Sequence, residues 1–537
     1  MQNIPSIFCN FIQYGLFYLQ EGGAMKKYFQ PIKRREFIKK GMAGGTVIAT
    51  APLWKLFFYS LPAPDINSNP LSDLDKDTLK KLLTIGLQNG GEFAEVYVEY
   101  TVQNSIGLDE NKIRAASRGV DMGVGIRVVQ GEKTGYAHSD DLSLEKLKET
   151  ARVAGLIASG EIKRESAALK EKDIPDYYLV KTSPDGIIPQ DKAKLLWKGN
   201  EVARAYDKRI NQVGVGFSDI NKKIIIANSE GVFVTDHQTI SRLMVSASAL
   251  ENGKRSRGYA YKGGTLGYEH YDVQTAEELA KEAGRIAMAM LPAEDAPAGE
   301  YPVVLAKGDC GTFFHEAIGH SLEGDGARRK TTCFWDKKGE AIASEIVSLA
   351  DDGTVPGARG SINVDDEGTP SQKNILIQDG TCTGFLYDKL NAKLMNTKST
   401  GNGRRESYQH YPIPRMTNTY LMAGKDDPED ILKSVKRGIY IARIGGGNVS
   451  PTTGRFVFQV PEGYMIEDGK ITTPLKGIQL MGNGPDVLMN ITMVGPDLEI
   501  WGGGTCGKSG QGKPVSDGNP TLKVAKVTIG GAKIQSS

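Results

Sequence analysis

Two histidines five residues apart, with a glutamate directly after the first, constrain this chain more than any other feature. The run Phe313-Phe-His315-Glu316-Ala-Ile-Gly-His320-Ser-Leu-Glu323-Gly-Asp325 carries the donor types that hold a divalent metal such as zinc and place a general base beside it. A regular α-helix rotates by 100° per residue, so a step of five swings the side chain through about 140° and parts the two imidazoles. The common zinc-protease helix avoids this by spacing its histidines four apart. For both rings here to face one ion, the helix must depart locally, through a one-turn π-bulge or a kink, and Gly319 lowers the cost of either. The competing reading is an ordinary helix with polar side chains. A third ligand would separate the two.

The string Gly502-Gly-Gly-Thr-Cys506-Gly507-Lys508-Ser509 admits three readings. It fits the phosphate-cradling pattern of nucleotide-binding loops, which would make the chain an exported NTPase. That loop needs a helix after it, and Gly510-Gln-Gly-Lys-Pro514 with Pro520 cannot supply one. A plain glycine-rich turn is the second reading. In the third, Cys506 is the missing ligand: the glycines let the backbone approach a metal, and Lys508 favours the thiolate. A His2Cys set leaves the fourth position open, which is a catalytic arrangement rather than a closed structural one.

At 537 residues the chain exceeds one typical core. Its 64 glycines point to many turns and β-rich structure. An α+β fold is expected: an N-terminal α+β domain with an antiparallel sheet over 72–290, a linker over 291–300, and a β-rich domain over 301–537 that carries the metal-site helix. In the first domain, helical spacing runs through Leu74, Leu79, Leu82, Leu83 and Leu87 and further helices fit 143–158, 190–206 and 275–290. Residues 94–102 alternate as a half-buried strand, 120–129 read as another, and 210–262 read as several short strands separated by Asn or Gly turns. The second domain opens on the strand Tyr301–Ala306 and continues mostly as strands.

Residues 1–60 hold eight Lys or Arg against Glu21 and Glu36, so the net +2 of the chain becomes about −4 beyond them. A mildly acidic body without a basic stripe gives no reason to expect nucleic acid as a partner. The paired arginines of Lys33-Arg34-Arg35-Glu-Phe37-Ile-Lys39-Lys40, before a glycine-rich apolar stretch, resemble a twin-arginine export signal spanning 25–60. Residues 1–24 do not fit such a signal, and translation is expected to begin at Met25. A linker follows at 61–71. The expected location is periplasmic, or anchored on the outer side of the cytoplasmic membrane through the apolar run Trp54–Tyr59. Besides Cys9 there are four cysteines, too few for a disulfide scaffold.

Taken together, residues 72–535 resemble the TldD branch of the TldD/PmbA peptidase family. The resemblance rests on His315–Asp325, Asp365-Asp366-Glu367-Gly-Thr-Pro370, Gly401–Tyr408, Pro414–Tyr420, and Thr505–Lys508 with Gly510-Gln511. It implies that His315, His320 and Cys506 bind one zinc ion while Glu316 is the general base. It also implies a substrate of small or unfolded polypeptides bound in extended form, and a homodimer or a heterodimer with a metal-free TldE/PmbA-like paralogue. Hydrolysis would then proceed by attack of metal-activated water. Glu323 is expected to orient a metal-bound histidine. His410, Arg415 and Tyr420 are candidates for the oxyanion donor, each with loop anchoring as the competing role, and Asp365, Asp366 and Glu367 read as turn residues. The rival function is an exported, non-catalytic peptide-binding protein with a structural metal site.

Overall fold

The computed structural model describes residues 17–21, 24–28, 71, 74–160 and 163–531. Residues 29–70, which hold most of the expected export signal and linker, lie outside the described residues. Residues 1–69 form a unit of their own, in which Phe17–Glu21 pairs antiparallel with Ala24–Tyr28. No helix among the described residues is long and apolar enough to cross a membrane.

The unit from residue 70 onward is a mixed α/β body. Its first sheet is antiparallel and built from long strands: β1 (Phe93–Asp109), β2 (Lys112–Gln130), β3 (Lys133–Ser139), β4 (Ile210–Asn228), β5 (Val232–Glu251) and β6 (Lys254–Gly264), in the spatial order β3-β2-β1-β4-β5-β6. Two helix pairs cover one face. Helices α1 (Lys76–Leu87) and α2 (Leu144–Gly155) pack on β1 and β2 around Leu79, Leu83, Val96, Val98 and Ile126. Helices α3 (Pro189–Tyr206) and α4 (Val273–Met290) pack on β4 and β5 around Leu196, Val213, Val245 and Ala280. Asp75 and Asp272 start α1 and α4 by accepting the Thr78 and Thr275 backbone N–H groups at 2.8 and 2.7 Å, which satisfies donors that a helix start leaves open.

The structure corrects two expectations here. Residues 210–262 form three long strands rather than several short ones. Asn221 lies in mid-strand, where its amide donates to Ser183 at 2.7 Å and its oxygen meets His237 Nε2 at 2.6 Å; paired in this way, it does not break the strand. Nor does β1 present a polar face to solvent. Its alternation is real, but Glu95, Tyr97 and Glu99 are as buried as Val96 and Val98, because the second half of the chain covers that face.

That second half contains a ten-stranded and a six-stranded sheet. The larger centres on β7 (Gly299–Leu305), which runs parallel to β11 (Arg437–Arg443) and antiparallel to β14 (Leu522–Gly530). In the smaller, β8 (Leu349–Asp352) lies between β9 (Lys373–Gln378) and β10 (Asn418–Leu421), and β10 runs parallel to β13 (Gln511–Asn519), which forms a hairpin with β12 (Glu499–Lys508). One apolar core, including Phe313, Phe314, Phe456, Phe458, Met416 and Cys506, runs through this half.

Candidate metal centre

The segment between β7 and the six-stranded sheet departs from the α-helix where the histidine spacing requires it. Phe314–Ile318 is a π-helical turn and Gly319–Leu322 a 3₁₀ turn. The Gly319 N–H reaches the carbonyl of Phe314, five residues back, which is the π pattern. The His315 and His320 rings consequently stand 5.4 Å apart, nearly perpendicular at 86°. Gly319 contributes differently from expectation. Its φ of −56° and ψ of −49° are ordinary helical values, so no conformational freedom is used, but an added Cβ would lie 2.1 Å from the Met416 sulfur. Space, not flexibility, requires glycine at this position.

Cys506 comes from β12, an edge strand rather than a glycine-rich loop. Its hairpin closes at Ser509-Gly510, both with positive φ, and Lys508 pairs with Gln511. No helix follows, so the string lacks the phosphate-binding geometry. Lys508 does not face the thiol either: its ammonium bonds Glu323 at 3.0 Å and Asp325 at 2.7 Å. The Cys506 sulfur lies 3.2 Å from His320 Nε2, and one donor atom each from His315, His320 and Cys506 fall within 4.8 Å of one another.

These residues fit a metal. Both His315 ring nitrogens are buried without a hydrogen-bond partner, which costs free energy unless something occupies them. Burial pushes the Cys506 thiol up, but the charge of His315 and the contact with His320 outweigh it and bring it down to about 4, so the sulfur is an anionic donor at neutral pH. His320 Nδ1 is held by Glu323 at 2.9 Å, which leaves Nε2 turned toward Cys506. Burial raises Glu323, yet Lys508 and His320 draw it down to about 2, so it remains a carboxylate. Glu316 is the open member of the group: 32% of its side chain is exposed, and its carboxylate lies 3.7 Å from His320 Nε2.

Each of the three oxyanion candidates bonds other groups of the protein, and only Arg415 uses its side chain on backbone. Arg415 is fully buried and donates to the carbonyls of Cys506 at 2.6 Å and Gln511 at 3.1 Å, fixing the hairpin that presents the thiol. Tyr420 donates to Asp352 at 3.1 Å. His410 contacts Ser407 in its own turn at 3.2 Å. Asp365, Asp366 and Glu367 do form a turn, but a fully buried one. Asp365 accepts N–H groups from Glu367, Thr369 and Gly403, and Glu367 pairs with Arg127 of β2 at 2.5 Å.

One nearby residue escaped the sequence reading. Asp517, on β13, accepts from Thr312 Oγ1 at 3.1 Å with one carboxylate oxygen, while the other is buried without a partner. Thr312 lies three residues before His315, so this carboxylate sits beside the first turn of the histidine segment. Burial, offset in part by His315, raises it to about 6.

The chain belongs to the PmbA/TldA metallopeptidase family. Domain models of that family match in order: domain 1 over residues 94–158, the central domain over 182–291 and the C-terminal domain over 298–531. A relative from Haemophilus influenzae named metalloprotease TldD homolog is 41% identical, over 86% of this chain and 97% of its own length. One from Buchnera aphidicola with the same name is 40% identical over 87% and 98%. Among solved structures, TldE from Thermococcus kodakarensis superposes with a TM-score of 0.66 at 23% identity, covering 84% of this chain and 99% of that one. A proposed modulator of DNA gyrase from Thermotoga maritima gives 0.71 at 22%, over 84% and 99%. At such identities these two establish the fold alone.

Proposed function

We propose that this chain is a zinc-dependent peptidase acting on small or unfolded polypeptides. One observation carries the reading: two imidazoles and a thiolate converge within 4.8 Å beside a partly exposed carboxylate. A relative from Saccharolobus solfataricus, 27% identical, is named zinc metalloprotease TldD homolog, which agrees with this donor set. His315, His320 and Cys506 would hold the metal. When bound, zinc supplies Lewis acidity that acidifies water and polarises a carbonyl.

The chain's own residues divide the remaining work. Glu323 fixes the His320 ring and its tautomer through Nδ1, and Arg415 fixes the Cys506 backbone. Glu316, free of a short ion pair, accepts the proton from the attacking water and returns it to the leaving amine. The expected assembly is a homodimer or a pair with a metal-free TldE-like paralogue. Export by the twin-arginine route rests on Arg34 and Arg35 and their flanks.

Elemental mass spectrometry on protein beginning near Asp65 tests the centre. About one zinc per chain is expected, lost in both Cys506→Ser and His320→Ala. Glu316→Gln should keep the zinc and lose peptide turnover by about 10²–10⁴-fold. Zinc retained without Cys506 overturns the ligand set. Unchanged turnover in Glu316→Gln removes Glu316 as the base, and zinc-loaded wild type without peptide turnover is a binding protein instead.

A further inference from the structure

Two half-buried arginines border the strand that carries Cys506, and no carboxylate among the described residues forms an ion pair with them. Arg242, on β5, stacks its guanidinium over the Tyr261 ring at 3.6 Å from the centroid. Tyr261 in turn lies against Gly502, where an added Cβ would stand 3.1 Å from the ring. Arg359 donates from Nε to the Gly504 carbonyl at 3.2 Å, and its backbone N–H bonds Ser516 at 3.0 Å. The two cations therefore both border Gly502–Gly504, Arg242 through the Tyr261 ring and Arg359 directly. Neither forms an ion pair with a carboxylate among the described residues, and Arg242 Nε is buried without a partner. Asp309, whose charge reaches Arg242, is instead 3.7 Å from Arg443. Burial, and then the charge of Arg242, lowers Arg359 to about 10.

Paired cations withdrawn from water without a counter-ion are costly, and the planar fork of arginine matches a carboxylate in two-point contact. The strand leaves room for such a ligand. A bulge shifts the register between Trp501 and Gly504, and a Cβ placed on Gly504 would meet nothing within 4 Å. Gly504 and Cys506 are two residues apart, so they lie on one side of the strand, about 7 Å from each other.

We propose that Arg242 and Arg359 bind a carboxylate of the substrate, about two residues along an extended peptide from the bond that is cut. The inference rests on the peptidase reading above. The carboxylate is either a free chain terminus or an Asp or Glu side chain, and both present the same two oxygens.

The test compares one unstructured peptide as the free acid, as the C-terminal amide, and as the amide with Glu placed at each of the last three positions. In the zinc-loaded wild type, amidation should raise KM at least tenfold with little change in kcat. Restoration by an internal Glu would identify the side chain as the source; no restoration would identify the terminus. Arg242→Gln with Arg359→Gln should erase the difference between acid and amide, and the two Lys variants should restore part of it. Equal KM for all peptides in the wild type overturns the proposal, and that comparison stands even where the double variant fails to fold. If no peptide is cleaved, the peptidase reading fails separately. Calorimetry of the same peptides with Glu316→Gln protein then decides: weaker binding of the amide supports the carboxylate site, and equal binding overturns it.

Discussion

At the scale of single residues, the proposed centre is backed by groups outside its donor set. Glu323 holds His320 at 2.9 Å, and Asp517 brings an unpartnered oxygen to the turn that carries His315. Carboxylates behind metal-bound histidines set ring orientation and donor strength, and their loss commonly costs 10–100-fold in metal affinity. Glu323→Gln is therefore expected to weaken zinc binding about 10–100-fold in chelator competition while the protein remains folded. Asp517→Asn should shift affinity in the same direction. An unchanged affinity in Asp517→Asn would leave that residue only its bond to Thr312.

At the scale of elements, the π-helical turn solves a problem written in the sequence. Histidines five positions apart cannot share a face of an α-helix, and the extra residue in the turn removes the mismatch. Gly319 lies where this segment passes Met416, and its backbone is already helical. If flexibility were the reason for glycine, Gly319→Ala would stabilise the helix by about 0.5–1 kcal/mol. Because a methyl group would strike the Met416 sulfur at 2.1 Å, the opposite sign is expected, a loss of about 1–3 kcal/mol in denaturant unfolding, with zinc content reduced as the histidines shift.

At the scale of the whole molecule, a buried charge network joins the first sheet to the sheet of the metal centre. Arg127 of β2 pairs with Glu95 of β1 at 2.8 Å and with Glu367 at 2.5 Å. Arg405 bonds Glu95 and donates its backbone N–H to Asp366 at 2.7 Å. Lys513 reaches Asp366 at 3.1 Å, and Lys513 is the cross-strand neighbour of Cys506. A buried pair loses about 3–5 kcal/mol when one partner is removed, because the other charge is left bare. Arg405→Met should cost about that much in urea unfolding and lower zinc occupancy through the Lys513 strand. A loss below 1 kcal/mol would mean that the two halves are held by their apolar contacts alone.

Local chemistry by itself determined much of this. If His315 and His320 were to face one ion, their spacing demanded a non-α turn, since the rotation per residue is a property of the helix. The prolines and glycines after Lys508 excluded a phosphate-binding helix, because they cannot sustain one. The four helices and the β-rich second half were likewise legible from periodicity and turn residues. What alternation could not reveal is which polar face meets water: Glu95 and Glu99 look like solvent-facing positions until Arg405 and Lys222 close over them. Nor could it show that Arg415 and Tyr420 spend their side chains on backbone and Asp352, or that Asp517, Arg242 and Arg359 lie beside the cysteine strand. Those placements depend on contacts between segments up to 310 residues apart, which long-range packing fixes. Rotation and backbone sterics are carried by neighbouring residues, whereas the partner of a buried charge is chosen only when the sheets close on one another.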